Sequence, residues 1–97
     1  MIRHVVLIEW KPDTTLADIA HVAAGLLELP AIISSIRTYS VGSDLALGDG
    51  RADFAVVADF DDAEGWRAYD THAAHIAVRS ERMAPHIATR TFIQFAL

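Results

Sequence analysis

The opening stretch "MIRHVVLIEW" is dominated by β-branched, aliphatic and aromatic residues and stops before "KPD", where a proline and an aspartate punctuate the chain. The pattern predicts a strand over Ile2–Trp10. Its even positions are Ile2, His4, Val6, Ile8 and Trp10, and its odd ones include Val5 and Leu7. Both faces are therefore largely apolar, and both are expected to meet something dry.

Thr15 followed by Asp18 has the spacing of a capping arrangement, in which the hydroxyl accepts a backbone N–H and the carboxylate sits at the positive end of a helix. Leu16, Ile19, Ala20, Ala23, Leu26 and Leu27 then recur at helical spacing and predict one buried face, with His21 and Glu28 toward solvent. Pro30 opposes continuation of that helix. "SIRTYSVG" alternates Ile36, Thr38 and Ser40 with Arg37, Tyr39 and Val41, which suggests a half-apolar strand near a sheet edge, and "GSDLALGDGRA" reads as a turn-rich loop.

From Asp53 to Phe60 a third strand is expected, with Phe54, Val56, Ala58 and Phe60 on one face and Ala55 and Val57 on the other. Asp61 or Asp62 can cap a helix carrying Trp66 and Tyr69, and a further helical stretch from about His72 to Met83 ends at Pro85. "IATRTFIQFAL" supplies a fourth strand.

The order is β-α-β-β-α-β, a ferredoxin-like α+β fold with a four-stranded antiparallel sheet and its helices on one face. The other face, with Val5, Leu7, Ala55 and Val57, would be an apolar patch unusual on a monomer, so a homodimer with sheets packed face to face is expected. Residues 1–97 read as a single domain, because no linker, repeat or low-complexity tract divides them.

Composition narrows the functional classes. Eight Lys+Arg against 13 Asp+Glu give a formal charge of -5, and no basic cluster stands out, which argues against a nucleic-acid partner. Cysteine is absent, so neither disulfides nor thiolate metal sites can stabilise so small a core. The N-terminal apolar run is shorter than a signal peptide or the about 20 residues needed to span a bilayer, so a cytoplasmic protein with no membrane partner is expected.

The candidate chemistry lies in "YDTHAAHIAV", Tyr69 to Val78. His72 and His75 are close enough in sequence to approach one metal, but no carboxylate cluster or His-Glu-x-x-His pattern accompanies them, and no metal is expected. His72 stands where a helix would begin and reads as a cap, while His21 and His86 read as surface or cap residues. His4 interrupts an apolar strand face, and a buried imidazole needs partners, for which Tyr69 and His75 are candidates. If His4, Tyr69 and His75 converge, they bring a phenol and two imidazoles to an apolar cleft, an acid/base set without a nucleophile. Trp10, Phe54, Trp66, His72 and Ile76 are candidate pocket residues around it. No G-x-S-x-G elbow and no phosphate-cradling glycine loop occurs.

"IRHVVLIEWKPD", the element order and "YDTHAAHIAV" together resemble the stress-responsive A/B barrel domain (Dabb) family, within the dimeric α+β barrels. The opening strand with its histidine fits the family pattern, as do Tyr69, His72 and His75, while Ala73 stands where the family often has proline. The resemblance covers essentially the whole chain. It implies a face-to-face dimer and, by analogy with a plant polyketide cyclase branch, a cofactor-free lyase of aldol type. In that analogy His75 removes a proton α to a carbonyl, Tyr69 binds the developing oxyanion and His4 orients the substrate or Tyr69, with a small hydrophobic or polyketide-like ligand in the pocket. The alternatives are a non-catalytic, stress-related stable oligomer and a cofactor-free monooxygenase of the related barrel type.

Overall fold

The computed structural model describes residues 1–97. Strand β1 spans Ile2–Trp10, and helix α1 spans Leu16–Leu27, followed at once by the short α2, Leu29–Ile32. Strands β2, Thr38–Ser43, and β3, Phe54–Phe60, precede α3, Ala63–Asp70, and α4, Ala73–Val78. A π-helical turn over Arg79–Met83 and a 3-10 turn over Ala84–His86 then lead into β4, Ile87–Ala96. The strands form one four-stranded antiparallel sheet in the order β2-β3-β1-β4, the ferredoxin-like α+β arrangement.

Local chemistry accounts for the helix boundaries. Thr15 accepts from the Asp18 amide while the Asp18 carboxylate accepts from the Thr15 amide, so a full capping box opens α1. Asp62 caps α3 by accepting from the Gly65 amide at 2.9 Å. Pro30 ends α1 without ending helical structure, because it falls in the first turn of α2, where a missing N–H costs nothing.

The buried face of α1 is turned part of the way from the one its spacing predicts: Ile19, Ala23 and Leu26 pack on the core as expected, and the flanks of the face change. Val22, Gly25 and Leu26 are buried, whereas Leu16 and Leu27 are 86 % and 54 % exposed. "LADIAHVAAGLL" offers two overlapping apolar stripes, and the sheet selects the one containing Val22, which continues through Leu29 and Ile33 into the core. Gly25 matters here, since a Cβ would lie 2.9 Å from Cδ of Arg82, whose guanidinium donates to the His21 carbonyl.

The helical stretch after His72 is also not one α-helix. Its ladder widens to the π spacing at Arg79–Met83, which turns Arg79 and Met83 toward the sheet.

The core lies between the helices and one sheet face: Val6 and Ile8 of β1, Phe54, Val56, Ala58 and Phe60 of β3, and Val22, Leu26 and Leu29 are all buried. On the opposite face Leu7, Ile93 and Phe95 are exposed, and nothing in the protomer covers them. One end of that face carries a polar clamp. Arg3 donates twice to Asp59, at 2.8 and 2.9 Å, and Thr38 donates at 2.6 Å. These bonds, with Arg3 the largest cause, hold the Asp59 carboxyl at about 2.

Candidate functional site

Strand register builds the floor of the site. Tyr39 pairs with Ala58, Ala58 with His4, and His4 with Gln94, so these side chains form one row across the helix-facing side of all four strands. Ala58 is fully buried and contributes only a methyl group, which leaves room above the middle of the row. Tyr69, near the end of α3, fills part of that room, its ring 6.0 Å from that of Tyr39 and 6.5 Å from that of His4.

The α3–α4 junction delivers the remaining group. Nδ1 of His72 accepts from the Ala74 amide at 3.0 Å and caps α4, and one turn later His75 stacks on Tyr69 with centroids 4.0 Å apart and an interplanar angle of 23°. The phenol oxygens of Tyr69 and Tyr39 are 2.9 Å apart. Gln94 Nε2 donates to Nδ1 of His4 at 3.0 Å, which puts the ring proton of neutral His4 on Nε2. Nδ1 of His75 lies 3.4 Å from the Asp70 carbonyl oxygen; a proton placed there leaves Nε2 as the basic nitrogen.

His4, Tyr69 and His75 border one cavity of about 210 Å³, whose apolar lining includes Val6, Leu26, Val56, Met83 and Ile87. Arg79 and Arg90 complete its polar lining. Arg79 is committed within the protein, donating to Asp70 Oδ1 at 2.9 Å and to the Asp70 carbonyl at 3.2 Å. Arg90 forms no ion pair or hydrogen bond; its guanidinium carbon sits 5.1 Å from the Phe92 ring centroid.

Burial sets the protonation states. It pushes His75 down to about 4, aided by the charge of Arg79, and it lowers His4, aided by Arg90 and opposed by Asp70. It raises Tyr69 against the opposing hydrogen bond from Tyr39, and drives Tyr39 far above the ordinary phenol range. At neutral pH the cavity therefore holds two neutral imidazoles beside protonated phenols. The set can accept a proton at an imidazole and donate a hydrogen bond from a phenol, in a cavity lined mainly by apolar side chains.

Of the residues expected at a site, His4, Tyr69 and His75 come together, and the five proposed pocket residues lie outside this cavity's lining. The Trp10 ring lies 5.3 Å from that of Phe54, tilted by 55°, farther along the sheet, and Phe54 borders a separate hollow of about 220 Å³ with Leu7 and Ala55. Trp66 packs 5.9 Å from His4 on another side, His72 is spent on its cap, and Ile76 is 44 % exposed. Sequence reasoning missed Tyr39, Arg79, Arg90 and Gln94. The inward phase of β2 would have flagged Tyr39, and the even-numbered phase shared by Arg90, Phe92 and Gln94 would have flagged the β4 pair. No three His, Cys, Asp or Glu side chains converge as a metal would need, and no helix is long and apolar enough to cross a membrane.

The fold has known counterparts. A solved dimeric ferredoxin-like protein of unknown function from Thermobifida fusca is 43 % identical, with a TM-score of 0.91 over 99 % of this chain and 90 % of that one. A second dimeric protein of unknown function, from Bacteroides fragilis, is 24 % identical, with a TM-score of 0.87 over 99 % and 95 % of the two chains. The hydroxynitrile lyase of Passiflora edulis shares the fold at 15 % identity, with a TM-score of 0.86 over 99 % and 92 %. No curated protein matches the sequence. The model of the stress responsive A/B barrel domain matches residues 2–97, and the chain belongs to that family.

Proposed function

We propose that the protein is a homodimer whose protomers each use the His4–Tyr69–His75 cavity for cofactor-free acid/base chemistry at a carbonyl, an aldol-type addition or its reverse. The observation that carries this reading is the stacking of His75 on Tyr69 in a cavity lined mainly by apolar side chains. Nε2 of His75 takes the proton α to a carbonyl and Tyr69 donates a hydrogen bond to the enolate oxygen. The enolate carbon then attacks a second carbonyl carbon, and the imidazolium returns its proton to the new alkoxide. Protons and electrons balance without an oxidant or a metal. His4, held by Gln94, directs its Nε2–H as an orienting donor.

Size restricts the ligand. A cavity of roughly 150 Å³ accommodates benzene, so about 210 Å³ fits one substituted ring better than an extended polyketide chain. That the same fold houses a hydroxynitrile lyase in Passiflora edulis supports a lyase reading.

The dimer reading rests on the exposed sheet face. Leu7, Ile93 and Phe95 are 43 %, 60 % and 45 % exposed, and similar structures are described as dimeric. Packing two such faces together would bury about 1,600 Å² in an interface of standard size.

The test is turnover of aromatic ketones, aldehydes and short β-keto thioesters by the wild type, His75→Ala and Tyr69→Phe. Loss of an acid/base group should cost about 10²-fold to 10⁴-fold. Equal rates in all three proteins would end the reading. A second reading, a non-catalytic stable oligomer, is favoured by one observation: the hydroxyl of Tyr69 and a ring nitrogen of each histidine already have protein partners. It requires the same variants to melt earlier while the wild type turns over none of the probes.

A further inference from the structure

We infer that Arg90 makes the cavity selective for an anionic ligand, a carbonyl compound bearing a carboxylate that the guanidinium grips at the solvent-facing side. This deepens the reading above and rests on it. The chain as a whole is acidic, with 13 Asp+Glu against 8 Lys+Arg, yet no carboxylate lines this cavity. Of its two cations, Arg79 is neutralised by Asp70. Arg90 has no counter-ion and donates no hydrogen bond, so its planar fork is free.

The guanidinium is also held in position. It lies over Phe92, and the Phe92 ring is 5.5 Å from the ring of His4, so a chain of contacts links the cation to the acid/base set. Its charge reaches the set, since Arg90 is among the causes that lower His4 and oppose the rise of Tyr69. A guanidinium fork binds a carboxylate through two parallel N–H···O bonds, which fixes orientation as well as charge. A carboxylate held there would leave the rest of a one-ring ligand among Val6, Leu26, Met83 and Ile87, with its carbonyl toward Tyr69 and His75.

The experiment compares benzoylformate with its neutral amide, benzoylformamide, by NMR titration of wild type, Arg90→Gln and Arg90→Lys, following resonances of Tyr69 and His75. Arg90 is an exposed edge-strand residue, so both variants should fold. The wild type should bind the acid about tenfold to a hundredfold more tightly than the amide, as expected for a charge-assisted contact. The preference should shrink with added salt, vanish in Arg90→Gln and survive in part in Arg90→Lys. Equal affinity of acid and amide for the wild type overturns the inference and leaves the carbonyl reading standing. An undiminished preference in Arg90→Gln overturns it as well. If neither probe shifts Tyr69 or His75, the carbonyl reading falls and this inference falls with it.

Discussion

The phenol oxygens of Tyr39 and Tyr69 stand 2.9 Å apart, joining an edge strand to a helical residue thirty positions downstream. The bond closes over Ala58, so the smallest side chain in its row lets the two rings meet. Removing either hydroxyl should cost about 1 kcal/mol, and in a double-mutant cycle Tyr39→Phe and Tyr69→Phe should cost less together than the sum of the two singly. Chemical denaturation of the four proteins measures this. Strict additivity would mean that the bond contributes nothing.

Ala58 should tolerate no enlargement. Ala58→Val adds two methyl-sized groups where exposure is 0 %, and overpacking typically costs about 1–3 kcal/mol. The change should also weaken ligand binding at Tyr69, readable in the same NMR titration, because the tyrosine pair has to move. A variant as stable as the wild type would show that the floor of the site is looser than its packing implies.

Acid should weaken the fold before ordinary carboxylates titrate. His75 is lowered from 6.5 to about 4 by burial, so the unfolded chain binds more protons than the native one between those values. Stability is therefore full above about 6.5 and declines as pH falls toward 4, by about 3 kcal/mol from this residue alone. His4, also lowered, acts in the same direction. Denaturant unfolding at pH 7 and pH 4.5 should reveal the loss, and His75→Gln should flatten it. An equally steep decline in that variant would assign the effect elsewhere.

A charge on the bare sheet face should separate the protomers. Ile93→Glu places a carboxylate at a position 60 % exposed in the protomer and beside Val5 in register. Light scattering at micromolar concentration should give twice the chain mass for the wild type and the chain mass for the variant. A wild-type monomer would remove the dimer from the proposed function.

Much of this architecture was legible in the sequence, because its signals are local. The capping pair Thr15 and Asp18, the His72 helix start and the alternation in β1 each act within a few residues. The turned face of α1 has the opposite origin: Ile19, Ala23 and Leu26 pack as their spacing implies, but an alanine-rich helix leaves the edges of its apolar stripe to its packing partner, and Val22 won over Leu16. The site was half legible for the same reason. His4, Tyr69 and His75 are unusual residues in apolar surroundings and draw notice singly. Strand phase turns Tyr39 and Gln94 inward, but only strand register puts them in one row with His4, and only a widened helical turn brings in Arg79.

The turn at Arg79–Met83 has one more consequence. A π turn holds an extra residue relative to α geometry. Deleting one residue there would let the ladder close as continuous α-helix with its flanks near their present places, but it would remove the widened turn that sets Arg79 and Met83 on the cavity. The wall that Met83 and Arg79 supply would be lost. The chamber thus depends on a single unit of chain length, a reading frame in three dimensions that no point substitution at its walls would disturb so completely.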